Sequence, residues 1–338
     1  MTHPDRDAQT RLLDALTAAA VLVDVNGVLV AANMPARQLL ALRTLGSVTV
    51  ADVFTDSAVT TLLTEVRAGR APASCDTHVR AAALTVIASM VDDLVLLVIT
   101  DHTRQRQVDE LRRDFVVNAS HELKTPVTSI QTLAEALAVV IRTKPGRVPQ
   151  LAARLSAEAE RLSALVTDLL DLRRLEERGQ TSREPVNLAA IARSVVAHEI
   201  PRADARNITV QVVAPDAMIV DGVAGDLEII VKNLVVNAVK YNRDGGTVTV
   251  SLTRDGPQVC LTVADTGIGI PDEDLPRIFE RFYRVDTARS RETGGTGLGL
   301  SIVRHAVDLH DGQVTVTSRR GDGSTFTVLL PASVEETF

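Results

Sequence analysis

Hydrophobic residues recur with changing period along this 338-residue chain, and the changes mark its parts. Residues 6–20 place Leu12, Leu13 and Leu16 on one side of a predicted helix. Two apolar runs, 21–25 and 28–32, then flank Asn26-Gly27, a dipeptide that favours a two-residue hairpin turn. Helical spacing returns over 35–42 and 57–68. Strand-like runs follow at 73–80, 84–91 and 94–100, with Asp92-Asp93 turning between the last two. Two strands, a helical middle and three strands predict a small α+β domain over residues 1–103.

From 104 to 183 the pattern is helical. Val108, Leu111 and Phe115 stand three and four apart, and the helix is expected to reach about Arg142. Lys144-Pro-Gly-Arg-Val-Pro149 breaks it. A second helix carries Leu151, Leu155, Leu162, Leu165, Leu169, Leu172 and Leu175 as one stripe. Two such helices make an antiparallel hairpin. A lone hairpin cannot bury both stripes, so a homodimer closing into a four-helix bundle is expected.

Residues 184–338 alternate helix-like runs (188–199, 226–241, 299–310) with strand-like runs (208–213, 247–253, 258–264, 313–317, 325–330). Glycine concentrates at 267–269 and 294–299. The pattern predicts a sheet layered with helices, its glycine-rich loops outside the regular elements. The fold class is therefore multidomain α+β.

Composition narrows the function. A hydrophobic content of 45% excludes global disorder. With 36 Lys+Arg against 43 Asp+Glu, two Tyr, six Phe and no Trp, the chain has neither the basic surface nor the stacking aromatics that nucleic acid demands. Cys75 and Cys260 form no disulfide framework and no zinc spacing. Charge-free stretches fall short of the 18 or so residues of a spanning helix, and the N-terminus lacks a signal pattern. A cytoplasmic protein without a transmembrane segment is expected, with another signalling protein relaying any membrane signal.

Four constellations bear chemistry. In the first, His121 and Thr125 lie one helical turn apart, with Glu122 adjacent and Pro126 following. An uncharged imidazole facing water is a nucleophile. Glu122 could hold one ring proton and leave the other nitrogen free to attack. A solvated surface histidine is the plain alternative. In the second, Asn233, Asn237 and Lys240 share a helix face, with Ile229, Ile230, Leu234 and Val235 on the core side. Amide oxygens suit Mg²⁺ and an ammonium suits phosphate. An ordinary polar stripe would look the same. The third is Asp265-Thr-Gly267-Ile-Gly269, directly after a strand, where a carboxylate meets backbone open to close approach. It would also fit a simple turn or an aspartic protease motif. The fourth, Gly294-Gly295-Thr296-Gly297-Leu298-Gly299, runs into a helix N-terminus and offers a phosphate cradle without being a Walker A loop. Between the last two lies Phe279-Glu-Arg-Phe282-Tyr283 and then the polar stretch 286–293, readable as a lid or as surface packing.

Taken in order, these segments resemble the H, N, G1, F and G2 boxes of bacterial two-component sensor histidine kinases, over about residues 104–334. The resemblance implies domains at 1–103 (PAS-like sensor), 104–183 (dimerisation and histidine phosphotransfer) and 184–338 (Bergerat-type α/β-sandwich that binds ATP). It implies that His121 accepts the γ-phosphoryl group of ATP, with Glu122 as base. Asn237 would hold Mg²⁺, with Asn233, Lys240 and Tyr241 near the phosphates. Asp265, with Gly267 and Gly269, would take the adenine amino group. Gly295, Gly297, Leu298 and Gly299 would let a lid close, and Thr325 would lie near adenine. Glu122-Leu-Lys-Thr125 resembles the motif by which such kinases dephosphorylate their response regulator, Thr125 positioning the attacking water. A homodimer acting on a response regulator is implied. Residues 10–103 resemble a PAS domain that closes on Asp101-His-Thr103. Phe54 is its single aromatic, no flavin-reactive motif surrounds Cys75, and His78 reads as a packed or surface histidine, so flavin and haem are not expected. A degenerate scaffold and an ATP-driven clamp are the rivals. The intact His121, Asn237, Asp265 and glycines favour an enzyme.

Overall fold

The computed structural model describes residues 13–70, 72–177, 182–285 and 295–333, apart from the side chains of 107–112 and 114. The chain divides into two compact units, 1–116 and 117–338.

The first unit is built on a five-stranded antiparallel sheet of order β2-β1-β5-β4-β3. Its strands are β1 (Ala19–Val23), β2 (Leu29–Ala32), β3 (Ala73–Val79), β4 (Ala82–Val91) and β5 (Leu94–Asp101). Helices α1 (Met34–Leu39), α2 (Val50–Val53) and α3 (Ser57–Arg67) connect β2 to β3. Val59, Leu62, Leu63 and Val66 of α3 are buried in one cluster with Val86, Leu97 and Ile99 of the sheet. That face is apolar because strand residues alternate sides, so every second residue of β4 and β5 reaches the helices.

Two expectations in this unit need correction. The helix expected over 6–20 does not extend to 20; its first part lies outside the described residues, and the chain is in β1 from Ala19. The cause is Asn33, fully buried, whose amide donates to the carbonyls of Leu13, Leu16 and Ala18 while its oxygen accepts from the N–H of Ala20. Tertiary hydrogen bonds thus override the helical preference of an alanine run. The connection between β1 and β2 is also longer than a two-residue turn. Val23 pairs with Leu29, and Asp24 turns the chain first by accepting from the N–H groups of Asn26 and Val28. Helix α2 was not expected; a Thr49–Asp52 capping box starts it.

Helix α4 (Thr103–Thr143) begins where Asp101 accepts from both the backbone and the hydroxyl of Thr103, and that hydroxyl in turn accepts from the N–H of Ala83. In the second unit a 3₁₀ turn at Pro145–Arg147 joins α4 to α5 (Val148–Glu177), giving the expected hairpin. Leu165, Leu172 and Leu175 are buried, while Leu151, Leu155, Leu162 and Leu169 are half-buried. Val127, Val139, Ile141 and Leu170 stay exposed on it.

The hairpin and the following α/β region fall in one compact unit. That region holds α6 (Leu188–Asp204), α7 (Ala224–Lys240) and α8 (Gly299–Asp308), with the sheet order β11-β12-β10-β9-β7. The strands are β7 (Thr209–Val213), β9 (Thr247–Asp255), β10 (Gln258–Asp265), β11 (Gln313–Arg319) and β12 (Gly323–Pro331). β7 runs parallel to β9 and the other pairs are antiparallel. Alternate residues (Val248, Val250, Leu252; Val259, Leu261, Val263; Phe326, Val328, Leu330) are buried under the helices. A two-stranded pair, β6 (Glu184–Asn187) with β8 (Ile219–Gly222), was not expected. Asn187 ends it and caps α6 through the N–H groups of Ala189 and Ala190. Among the described residues no helix is long and apolar enough to cross a membrane.

Candidate functional site

His121 stands exposed near the middle of α4. One turn on, the Thr125 hydroxyl donates to the His121 carbonyl at 3.2 Å. Pro126 is buried and sits inside the helix without ending it. Its missing N–H leaves the Glu122 carbonyl without the usual helical donor. The Glu122 side chain reaches across the hairpin to Arg161, 3.8 Å away, and lines one groove with His121. His121, Lys124, Thr125, Thr128 and Thr132 line a groove of about 570 Å³ along α4.

Most of the remaining candidates converge on the C-terminal half of α7, whereas Gly269 packs its backbone on Arg319. The core side of α7 is buried at Ile229, Ile230, Leu234 and Val235, as the spacing required. Asn233, Asn237 and Lys240 are half-buried on another face, and Tyr241 caps the helix with its N–H on the Asn237 carbonyl. Lys240 Nζ lies 5.1 Å from the Tyr241 ring centre. Burial, reinforced by Arg284 and Arg202, lowers the Lys240 pKa to about 8. Burial raises the Tyr241 phenol.

Close packing shows why the flanking loops contain glycine. A Cβ on Gly267 would stand 2.3 Å from the Tyr241 carbonyl, and one on Gly295 would stand 2.8 Å from the Tyr241 hydroxyl and 3.1 Å from Lys240 Nζ. A Cβ on Gly299, the first residue of α8, would meet Asn233 Oδ1 at 2.5 Å. The loop after β10 and the loop before α8 therefore close on the same helix end. Gly297 packs on the backbone of Phe282, whose N–H donates to the Gly297 carbonyl at 2.8 Å. Leu298 is fully buried and anchors the entry to α8. Asp265 Oδ1 accepts from the N–H of Gly267 at 2.7 Å. Burial raises its carboxyl, opposed by the N–H groups of Gly267 and Ser324.

Three features depart from the sequence reading or were missed by it. Thr325 pairs with Ala264, and Ser324 pairs with Asp265. Strand alternation puts Ser324 on the helix side with Asp265 and Thr325 on the opposite side, so Ser324 replaces Thr325 beside the Asp265 end of the site. Counting back two residues from the buried Phe326 would have found it. Asp168 of α5 was missed. It falls on the stripe of Leu165, Leu172 and Leu175, where a charge is out of place. The Thr296 hydroxyl donates to Asp168 Oδ2 at 2.5 Å, and burial raises the Asp168 carboxyl. The same helix sends Arg174 against Gly225 and Glu176 to Arg281. The polar stretch 286–293, expected as a lid, lies outside the described residues.

His121 is not among the residues that converge on α7. The second groove it lines, of about 310 Å³, is walled instead by Arg277, Glu280, Arg281 and Tyr283.

Mg²⁺ fits the residues present. The Asn237 amide is half-exposed beside Lys240, and no hydrogen bond of its side chain is seen among the described residues. Among those residues no three His, Cys, Asp or Glu side chains form a protein-only metal cage. A hard cation here would share its coordination between an amide oxygen and a ligand's oxygens.

Comparison with known proteins agrees with this geometry. Residues 111–178 match the His Kinase A (phospho-acceptor) domain, and 222–334 match the histidine kinase-, DNA gyrase B- and HSP90-like ATPase family. The sensor-like histidine kinase SenX3 of Mycolicibacterium smegmatis is 40% identical over 234 residues, covering 69% of this chain and 61% of that protein. The phosphate regulon sensor protein PhoR of Pseudomonas aeruginosa is 38% identical over 243 residues, covering 71% of this chain and 55% of its own. The matched segment thus spans 55–61% of these relatives' length. In fold alone, the chain resembles the histidine kinase ThkA solved in complex with the response regulator protein TrrA (TM-score 0.56, 18% identity, 96% of this chain and 98% of that one). With a phospho-acceptor domain on the helix of His121 and an ATP-binding domain built around α7, the chain belongs to the two-component sensor histidine kinases.

Proposed function

We propose that the chain is an ATP-dependent autokinase that phosphorylates His121 and passes the phosphoryl group to an aspartate of a response regulator. One observation carries the reading: the loops around Asp265–Gly269 and Gly295–Gly299 close on Lys240 and Tyr241 in a chain that also presents an exposed His121. Lys240 meets the phosphates as a point charge, and the N-terminus of α8 offers its free N–H groups to them. Asp265 and Ser324 face the adenine end, where a buried carboxylate acceptor selects an amino group over a carbonyl. Mg²⁺ held through Asn237 would neutralise charge on the β- and γ-phosphates.

In the transfer, a ring nitrogen of His121 forms a bond to the γ-phosphorus as the bond to the bridging oxygen breaks, and ADP leaves. The proton on the other ring nitrogen passes to Glu122, which Arg161 holds in place. ATP as donor puts the reaction in the cytosol or on its face of a membrane. The exposed apolar residues of the hairpin support a homodimer closing a four-helix bundle. The groove beneath His121 suits a response regulator, the class of partner seen with ThkA, and Thr125 would hold the water that hydrolyses the regulator's phospho-aspartate in the opposing phosphatase reaction. The first unit, with two strands, helices, then three strands and the Asp101–Thr103 bonds leading into α4, supports the PAS-like sensor reading.

Incubation with Mg²⁺ and γ-labelled ATP tests the proposal. Acid-labile, base-stable label on wild type and none on His121→Gln is the expected result. ATP hydrolysis without stable label would favour an ATP-driven clamp, and nucleotide binding without either would favour a scaffold.

A further inference from the structure

His121 faces an arginine-lined groove, and that groove is not the nucleotide site. Its walls include Asn118 and His121 of α4 and, from the segment after β10, Arg277, Glu280, Arg281 and Tyr283. Asn118 stands three residues before His121, on the same helix face, with an amide that can donate.

Both guanidinium groups are held at the wall by exchangeable partners. Arg277 lies 3.2 Å from Glu280 and 4.3 Å from the Tyr283 ring centre, in an ion pair more than half exposed. Arg281 donates to Glu176 of α5 at 2.7 Å. An exposed ion pair of this kind contributes little stability. A phosphoryl dianion offers twice the charge of a carboxylate and three acceptor oxygens in a shape that matches the guanidinium fork.

We propose that this groove holds the phosphoryl group after it has reached His121, with Arg277 and Arg281 as its binding residues and Asn118 as a further donor. The ligand is a phosphoimidazole dianion carried by the chain itself. The inference rests on the reading that His121 is the phosphoacceptor. Glu122 and Glu280 also face the groove and oppose the dianion, but each already has a cationic neighbour, Arg161 and Arg277. In this arrangement the guanidinium groups hold the charged group at the wall of the groove until the regulator takes it.

Phosphorus NMR of the full chain tests the proposal. Phosphoramidate, a small-molecule donor, modifies histidines without the ATP step, and His121→Gln identifies the resonance of interest. Opposite charge close to an acid lowers its pKa. The second ionisation of phospho-His121 in wild type is expected roughly one unit below that of Arg277→Gln/Arg281→Gln. Arg277→Lys/Arg281→Lys, which keeps charge and loses the fork, falls between them. Glu176→Gln, which removes the ion pair and keeps both guanidinium groups, matches wild type or lies lower. Identical titrations in wild type and the double glutamine variant would overturn the proposal. A His121 resonance obtained with phosphoramidate and never with ATP would instead sink the kinase reading, leaving the groove to be judged by the titration.

Discussion

The Thr296 hydroxyl donates to Asp168 Oδ2 at 2.5 Å, tying the glycine-rich loop before α8 to the second helix of the hairpin. The loop that must admit phosphates is thus bonded to a carboxylate, and Asp168 also acts electrostatically on Lys240. Loss of that carboxylate removes a charged competitor of the γ-phosphate. Asp168→Ala should tighten ATP binding and speed autophosphorylation about tenfold, the scale of one charge-assisted hydrogen bond. Thr296→Val should move both quantities in the same direction. Equilibrium binding of a fluorescent ATP analogue measures the first effect, and unchanged or weaker binding in both variants contradicts it.

Lys240 gives nucleotide binding a pH dependence of defined sign. Burial first, then Arg284 and Arg202, lower its pKa to about 8 in the free protein. Below that pH the ammonium is present, and above it the charge is lost while ATP stays fully ionised. Affinity should fall about tenfold between pH 7 and pH 9, following the protonated fraction of Lys240. Lys240→Gln should bind weakly and flatten the profile. Calorimetry across this range provides the check.

Asp265 sets the base preference. Its carboxyl is raised by burial and accepts from the N–H groups of Gly267 and Ser324, and each carboxylate oxygen can accept a further bond from a ligand's amino group. Asp265→Asn exchanges an ionic acceptor for an amide that can also donate. ATP affinity should drop on the order of 10- to 100-fold while GTP loses less. Competition of the two nucleotides against a labelled analogue measures the ratio.

Thr125 donates to the His121 carbonyl, so its oxygen sits one turn below the imidazole. Thr125→Ala should leave autophosphorylation within about twofold and abolish most dephosphorylation of the regulator, a separation expected when a residue positions water for only one reaction. Label on a purified phospho-regulator, followed with time, reports the second activity.

Gly269 has φ +65°, and a Cβ there would stand 2.0 Å from the Arg319 carbonyl. Gly269→Ala should destabilise the α/β region by roughly 2–3 kcal/mol. The chain's two tyrosines, Tyr241 and Tyr283, both lie in that region, so tyrosine fluorescence during urea unfolding reads it selectively.

Much of this architecture is legible in the sequence where local pattern and tertiary demand agree. Strands β3 to β5, the hairpin and α7 follow from periodicity, because each buries one face over several turns or pleats. The misses have physical causes. Asn33 closes the expected first helix from a distance in the chain. β6 and β8 are too short to show alternation and exist by pairing with each other. Asp168 stands out only as a charge on the leucine stripe of its helix, and its partner, the Thr296 hydroxyl of the glycine loop, lies 128 residues away in the chain. Thr325 and Ser324 differ only in the parity of β12, which the buried Phe326 settles. Arg281 lies within the Phe279–Tyr283 segment singled out in the sequence and Arg277 two residues before it; only the fold brings the two to the groove of His121.

The account's central claim is that one phosphoryl group moves from ATP to His121. Intact-protein mass spectrometry at neutral pH, after incubation with ATP and Mg²⁺, tests it most directly. A gain of one phosphoryl mass per chain, located at His121 by fragmentation and absent from His121→Gln, is the predicted result. Phosphorylation at another residue, or none in a preparation that binds ATP and is joined by its regulator, would contradict it.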